Sequence, residues 1–173
     1  DRLFLLPPFL AGPAVMHRFT PGKVHGSEHW LNSTIDMSTL MKYLTVWLFG
    51  GLGAICRYGI VRLFDAHGWS TGAFAAMPTL AANLVACFAI GVIAGWLNSS
   101  PWSDDTRNAF ALASMTGFCG GFSTFSTFTL DAVRYFEQGR FNAWAVIGIA
   151  TVVGCLLACA AGYWLALRLR SSR

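Results

Sequence analysis

The most specific chemistry in the chain lies between Gly117 and Thr129, which read Gly-Phe-Cys-Gly-Gly-Phe-Ser-Thr-Phe-Ser-Thr-Phe-Thr. Ser123, Thr124, Ser126, Thr127 and Thr129 put five hydroxyls within seven residues, and Phe122, Phe125 and Phe128 recur at every third position. Hydroxyls donate hydrogen bonds without carrying charge, and an aromatic ring is positive at its edge. Such groups can receive a dehydrated anion without the full positive charge that would trap it. Asn83 adds two neutral amide donors, and Arg57 a permanent cation. Each also has a plainer use. An aromatic stripe packs a core, an amide joins neighbouring helices, and an arginine snorkels to an interface. The residue types alone leave both uses open.

The adjacent Gly120 and Gly121, followed by side chains that compete for backbone hydrogen bonds, predict a helix broken at Gly120-Gly121. Unwound backbone at membrane depth is tolerated only when buried in protein or lining a cavity, and its freed carbonyls can hold a cation. On the helix that resumes, Phe122, Phe125 and Phe128 are predicted to form one stripe and Ser123, Ser126 and Thr127 another. Gly50, Gly51 and Gly53, just before Arg57, suit close helix approach better than phosphate binding, because no strand-loop-helix pattern surrounds them.

The elements that must position these groups follow from composition. The 173 residues are 55% hydrophobic and 12% charged, about half the usual charged share, which argues for a bilayer and against a water-soluble domain. The formal net charge of +4 does not point to nucleic acid. Its charges stand singly or in pairs at the ends of apolar runs, with no clustered basic face. Four segments reach the roughly 20 apolar residues that a membrane helix needs: about Tyr43 to Phe64, Phe74 to Leu97, Ala109 to Phe136 and Ala143 to Leu167. An all-α membrane protein of four transmembrane helices is expected, with both termini on one side and no room for a soluble catalytic domain. Lys42, Arg107, Arg168, Arg170 and Arg173 lie on the side of the termini; Arg57, Arg62, Arg134 and Arg140 lie on or near the other. Five against four is almost no orientation bias, so such a chain can insert both ways, although the Arg168, Arg170 and Arg173 cluster weakly favours cytoplasmic termini.

Cys56, Cys87, Cys119, Cys155 and Cys159 all fall inside apolar runs without metal-ligand spacing, and are expected to act as small hydrophobes. His17, His25, His29 and His67 fall outside the runs. Residues 1–40 are rich in proline and glycine without a sustained period, and predict a disordered extension before a four-helix transmembrane domain at 41–173. Met37 and Met41 stand just before the first apolar run, where a start site would be natural.

At these residues the chain resembles the small bacterial fluoride channels of the Fluc family, also called CrcB proteins. The likeness extends over about residues 41–168. Gly117 to Phe128 resembles the family's Gly-Phe-Cys-Gly-Gly-x-Thr-Thr-Phe-Ser-Thr-Phe signature, with Ser123 for the first Thr. Thr79-Leu80-Ala81-Ala82-Asn83 resembles Gly-Thr-Leu-x-x-Asn, with Pro78 where Gly is usual. The glycine-rich run ending in Arg57 is a third element.

This resemblance implies an antiparallel, dual-topology homodimer with two anion pores in the bacterial inner membrane, in contact with lipid and with no nucleic acid or other protein partner implied. It gives Phe125 and Phe128 a pore-lining role, Asn83 a role in coordinating fluoride, Ser126 and Thr127 a polar track, and Arg57 a place toward the vestibule. It also implies a central sodium ion held by the backbone carbonyls of Gly120 and Ser123. Pro78 is expected to affect how the second segment enters the membrane, and Thr151 stands where many relatives carry Asn. The function so implied is passive, fluoride-selective export that lowers intracellular fluoride, without enzymatic chemistry. Two alternatives are a small proton-coupled multidrug-type transporter, which would be expected to carry a membrane-embedded carboxylate, and a structural membrane protein without transport.

Overall fold

The computed structural model describes residues 37–171, and within them the regular structure is helical. The expectation for residues 1–36 lies outside the described residues; residues 37–40 already belong to the first helix.

Helix α1 (Met37–Ala66) is followed by a single 3-10 turn (Gly72–Phe74) and α2 (Met77–Asn98). Pro78 occupies the first turn of α2, where the missing N–H costs nothing and the fixed φ favours a helix start. It therefore begins the helix instead of bending it. Helix α3 (Asp104–Ala111) is capped by Ser103, whose Oγ accepts from the Thr106 N–H, and carries Asp104 and Asp105 in its first turn, where acids suit the helix dipole. It runs on as a π-helical segment (Leu112–Cys119) and a last α turn (Gly120–Phe122). Ser114 Oγ donates to the Phe110 carbonyl at 2.6 Å, the kind of back-bonding that competes with a regular helical ladder. After two extended residues the chain resumes as α4 (Phe125–Glu137), turns at Gly139 with φ 67°, and ends in α5 (Phe141–Ser171).

Three of these helices, α1, α2 and α5, are long and apolar enough to cross a membrane. The 30-residue α1 is about 45 Å long, against roughly 30 Å of hydrocarbon. The third predicted segment is divided, as expected, but not where expected. Gly120 and Gly121 are helical, and the break falls at Ser123 and Thr124, whose φ/ψ of −78°/159° and −152°/114° are extended. The reason is packing. A Cβ on Gly121 would collide with the Gly50 carbonyl, and one on Gly53 with the Phe118 carbonyl. These glycines let α1 and the third segment touch backbone to backbone. Gly91 and Gly162 do the same between α2 and α5, against the Cys159 and Phe88 carbonyls respectively.

Burial is correspondingly inverted. Apart from Leu97, Phe122 and Tyr135 the buried residues are small or polar, among them Ala82, Ala86, Cys119, Thr79, Asn83, Thr124, Asp131 and Thr151. Large apolar side chains such as Trp47, Ile55, Val146 and Leu156 face outward, as expected where the surroundings are lipid or another apolar surface rather than water.

Candidate functional site

The break is held open by one side chain from another helix. Asn83, buried on α2, accepts from the Thr124 N–H through Oδ1 at 2.7 Å and donates through Nδ2 to the Thr124 carbonyl at 3.1 Å. In a continuous helix the Thr124 N–H would close on the Gly120 carbonyl four residues back. Asn83 intercepts it. A second diversion follows at once: Thr124 Oγ1 caps α4 by accepting from the Thr127 N–H at 3.2 Å, taking the donor that would otherwise reach the Ser123 carbonyl. The Gly120 and Ser123 carbonyls, which the family resemblance assigns to a cation, thereby lose their helical donors, as do those of Gly121 and Phe122 between them.

Thr124 also joins the hydroxyls. Its Oγ1 donates to Thr127 Oγ1 at 3.1 Å and lies 3.1 Å from Ser126 Oγ. Beside the break is a cavity of about 460 Å³, lined by Asn83, Ser123, Thr124, Phe125, Phe128 and Thr151 among others. The Phe125 and Phe128 rings meet at 5.5 Å with a 50° tilt, and Phe125 is 74% exposed. An amide has two N–H donors, and Thr124 uses one from Asn83. The cavity thus combines neutral donors with two phenyl rings.

Most of the predicted residues are brought together. Asn83, Ser123, Phe125 and Phe128 line this cavity, and Ser126 reaches it through Thr124. Thr127 lines a second cavity of about 450 Å³ with Thr79, Asp131 and Arg134. Phe122 leaves the predicted stripe: it precedes the break, is buried, and stacks on Phe118 at 5.8 Å. Ser123 likewise sits in the break and not on α4, so the two stripes start at Phe125 and Ser126. Arg57 on α1 lines neither cavity; its Nε is enclosed and makes no hydrogen bond among the described residues.

Some participants were missed. Thr124 counted as one hydroxyl among several, yet its backbone and side chain organise the break. Asp131 accepts from Thr79 Oγ1 at 2.8 Å and lies 3.6 Å from Arg134, while Tyr135 Oη accepts from the Ala76 N–H at 3.3 Å. The available signal was helical spacing: Thr127, Asp131 and Tyr135 are four apart on one face. Cys87, Cys155 and Cys159, expected to be plain apolar filling, line the first cavity.

A family model described as CrcB-like protein, Camphor Resistance (CrcB) matches residues 44–163. A protein of Enterobacter sp. named fluoride-specific ion channel FluC is 36% identical over 127 residues, covering 73% of this chain and 94% of the relative. A Bordetella avium protein of the same name is 36% identical over 123 residues, with 70% and 90% covered. One from Azobacteroides pseudotrichonymphae, also so named, is 31% identical over 117 residues, with 67% and 89% covered. The matched region holds α2, the broken third segment and every residue that lines the first cavity, and on that likeness the chain belongs to the CrcB family of multi-pass membrane proteins.

Proposed function

We propose that this chain is a passive, fluoride-selective channel through which the ion leaves the cytoplasm. The observation that carries the reading is the clasp of Asn83 on Thr124, which keeps backbone unwound beside a cavity of neutral donors and phenyl rings. A small halide entering there exchanges its water for hydroxyl and amide N–H donors and for ring edges, none of which carries a full charge to hold it. Ser126 and Thr127 extend the hydroxyl track, and Arg57 draws anions toward the entrance. Hydrogen fluoride enters acidified cells as a neutral molecule and ionises inside. The membrane potential then drives the anion out with about 2.3 kcal/mol per charge per 100 mV.

The channel is a four-span chain paired with an inverted copy of itself. Two features support that arrangement. The cation tally is balanced across the membrane, and Phe125 is exposed at the cavity, where a second chain would complete the wall. A sodium ion held by the Gly120 and Ser123 carbonyls of both copies is compatible with the same local structure, since those two oxygens are among the four, from Gly120 to Ser123, that the break deprives of helical donors. Sodium would supply a fixed positive charge that keeps the break from closing.

Fluoride efflux from liposomes containing the purified chain tests the proposal. Efflux without any proton or sodium gradient supports the channel. Strict dependence on such a gradient replaces it with the coupled transporter, for which the buried Asp131 is the available carboxylate. An absence of flux leaves a structural role.

A further inference from the structure

Where α2 and α5 both finish, a cavity of about 640 Å³ shares no lining residue with the two described above. The last turns of the two helices form its sides, held together where a Cβ on Gly95 would collide with the Tyr163 carbonyl. The loop at 100–102 closes a third side. Trp96 and Trp102 line it in edge contact at 4.7 Å, and Phe110 on α3 meets them at 5.5 and 5.6 Å. The three rings brace one another. Tryptophan collects at the level of lipid head groups, because its ring is apolar and its N–H polar. Val92 and Ala166, one turn deeper on their helices, continue the lining as apolar surface.

Arg170 supplies the charge. It stands in the last turn of α5, where a cation suits the helix dipole and ordinarily snorkels to water. Here the side chain is half-buried in the cavity wall, and Nη1 donates to the Trp96 carbonyl at 3.5 Å. That bond is at the long limit and engages one of five guanidinium N–H donors. Ser100 Oγ, in the same wall, accepts from the Trp102 N–H at 3.3 Å and keeps its own hydrogen to donate. No carboxylate lines the cavity. A cation and a hydroxyl at head-group depth above an apolar floor suit an anion that carries a hydrocarbon tail.

We propose that this cavity binds an anionic phospholipid, its phosphodiester on Arg170 and Ser100 and an acyl chain along Val92 and Ala166. A guanidinium takes two phosphate oxygens at once, and the indole N–H groups of Trp96 and Trp102 add neutral donors. Basic pockets between membrane helices hold lipid head groups by the same chemistry. A zwitterionic head group fits less well, since its ammonium meets Arg170 and finds no carboxylate. The site needs the chain to lie in a membrane and does not depend on conduction.

Native mass spectrometry of the full chain in mild detergent tests this, with phosphatidylglycerol, phosphatidylethanolamine of the same acyl chains, or inorganic phosphate added. At saturation one phosphatidylglycerol per chain should be retained, about tenfold more tightly than phosphatidylethanolamine. Arg170→Gln and Trp102→Leu should each weaken retention by about tenfold. Arg168→Gln removes the same charge from a side chain that lies over the Trp164 ring outside the cavity, and should leave retention unchanged. Unweakened retention in Arg170→Gln, or equal weakening by Arg168→Gln, overturns the site. Uptake that never saturates overturns it in favour of the general lipid annulus. Equal retention of both lipids overturns the anionic head group, and displacement by inorganic phosphate overturns lipid as the occupant. Arg170→Gln, at the end of α5, decides alone should Trp102→Leu lose its fold.

Discussion

Replacing Asn83 by Ala removes the clasp on Thr124 and asks whether the break depends on it. Two hydrogen bonds are lost, at 2.7 and 3.1 Å, from a residue only 7% exposed. Hydrogen bonds between membrane helices are worth about 0.6 kcal/mol on average, and buried ones in soluble proteins about 0.5–1.5 kcal/mol, so the pair contributes about 1–3 kcal/mol. A smaller cost comes from the space left by the amide. The freed Thr124 N–H has one nearby alternative, the Gly120 carbonyl, and taking it would extend the helix through the break. The expected result is a loss of about 1–3 kcal/mol in denaturant-induced unfolding followed by tryptophan fluorescence in micelles, together with a fall in liposome fluoride efflux beyond what reduced folding explains. Asn83→Asp separates the two effects. Its carboxylate still accepts from Thr124 N–H, but sets an oxygen against the Thr124 carbonyl and a negative charge beside the cavity, so efflux should be abolished even where the protein is folded. Unchanged stability and undiminished efflux in Asn83→Ala would refute both the clasp and its place in the path.

Phe125→Ile and Phe128→Ile should each reduce fluoride efflux in liposomes while leaving the folded protein intact by gel filtration; Phe125 is 74% exposed, so its loss removes ring edges more than packing. Gly121→Ala should destabilise by about 1–3 kcal/mol in the same unfolding assay, because its Cβ meets the Gly50 backbone; Gly59→Ala, with nothing within 4 Å, should not. Thr124→Val removes the oxygen that caps α4 and returns the Thr127 N–H to the Ser123 carbonyl, so stabilisation by sodium over N-methylglucamine, read as a shift in the unfolding midpoint, should shrink.

What the sequence determined is local or periodic. Apolar runs long enough to cross hydrocarbon fix α1, α2 and α5, because an unpaired backbone in lipid has no alternative to a helix. The density of glycine and hydroxyl residues after Gly117 likewise announced an interrupted third segment, and the motif residues marked the cavity that the helices later enclose. The tertiary structure decided where the interruption falls and which oxygens it frees. Gly121 stays helical where α1 packs against its backbone at Gly50, and the chain opens at Thr124 because Asn83, 41 residues earlier, competes for its backbone hydrogen bonds. Propensity and spacing are properties of neighbouring residues. A hydrogen bond across two helices depends on how closely their backbones approach, and that distance is set by packing.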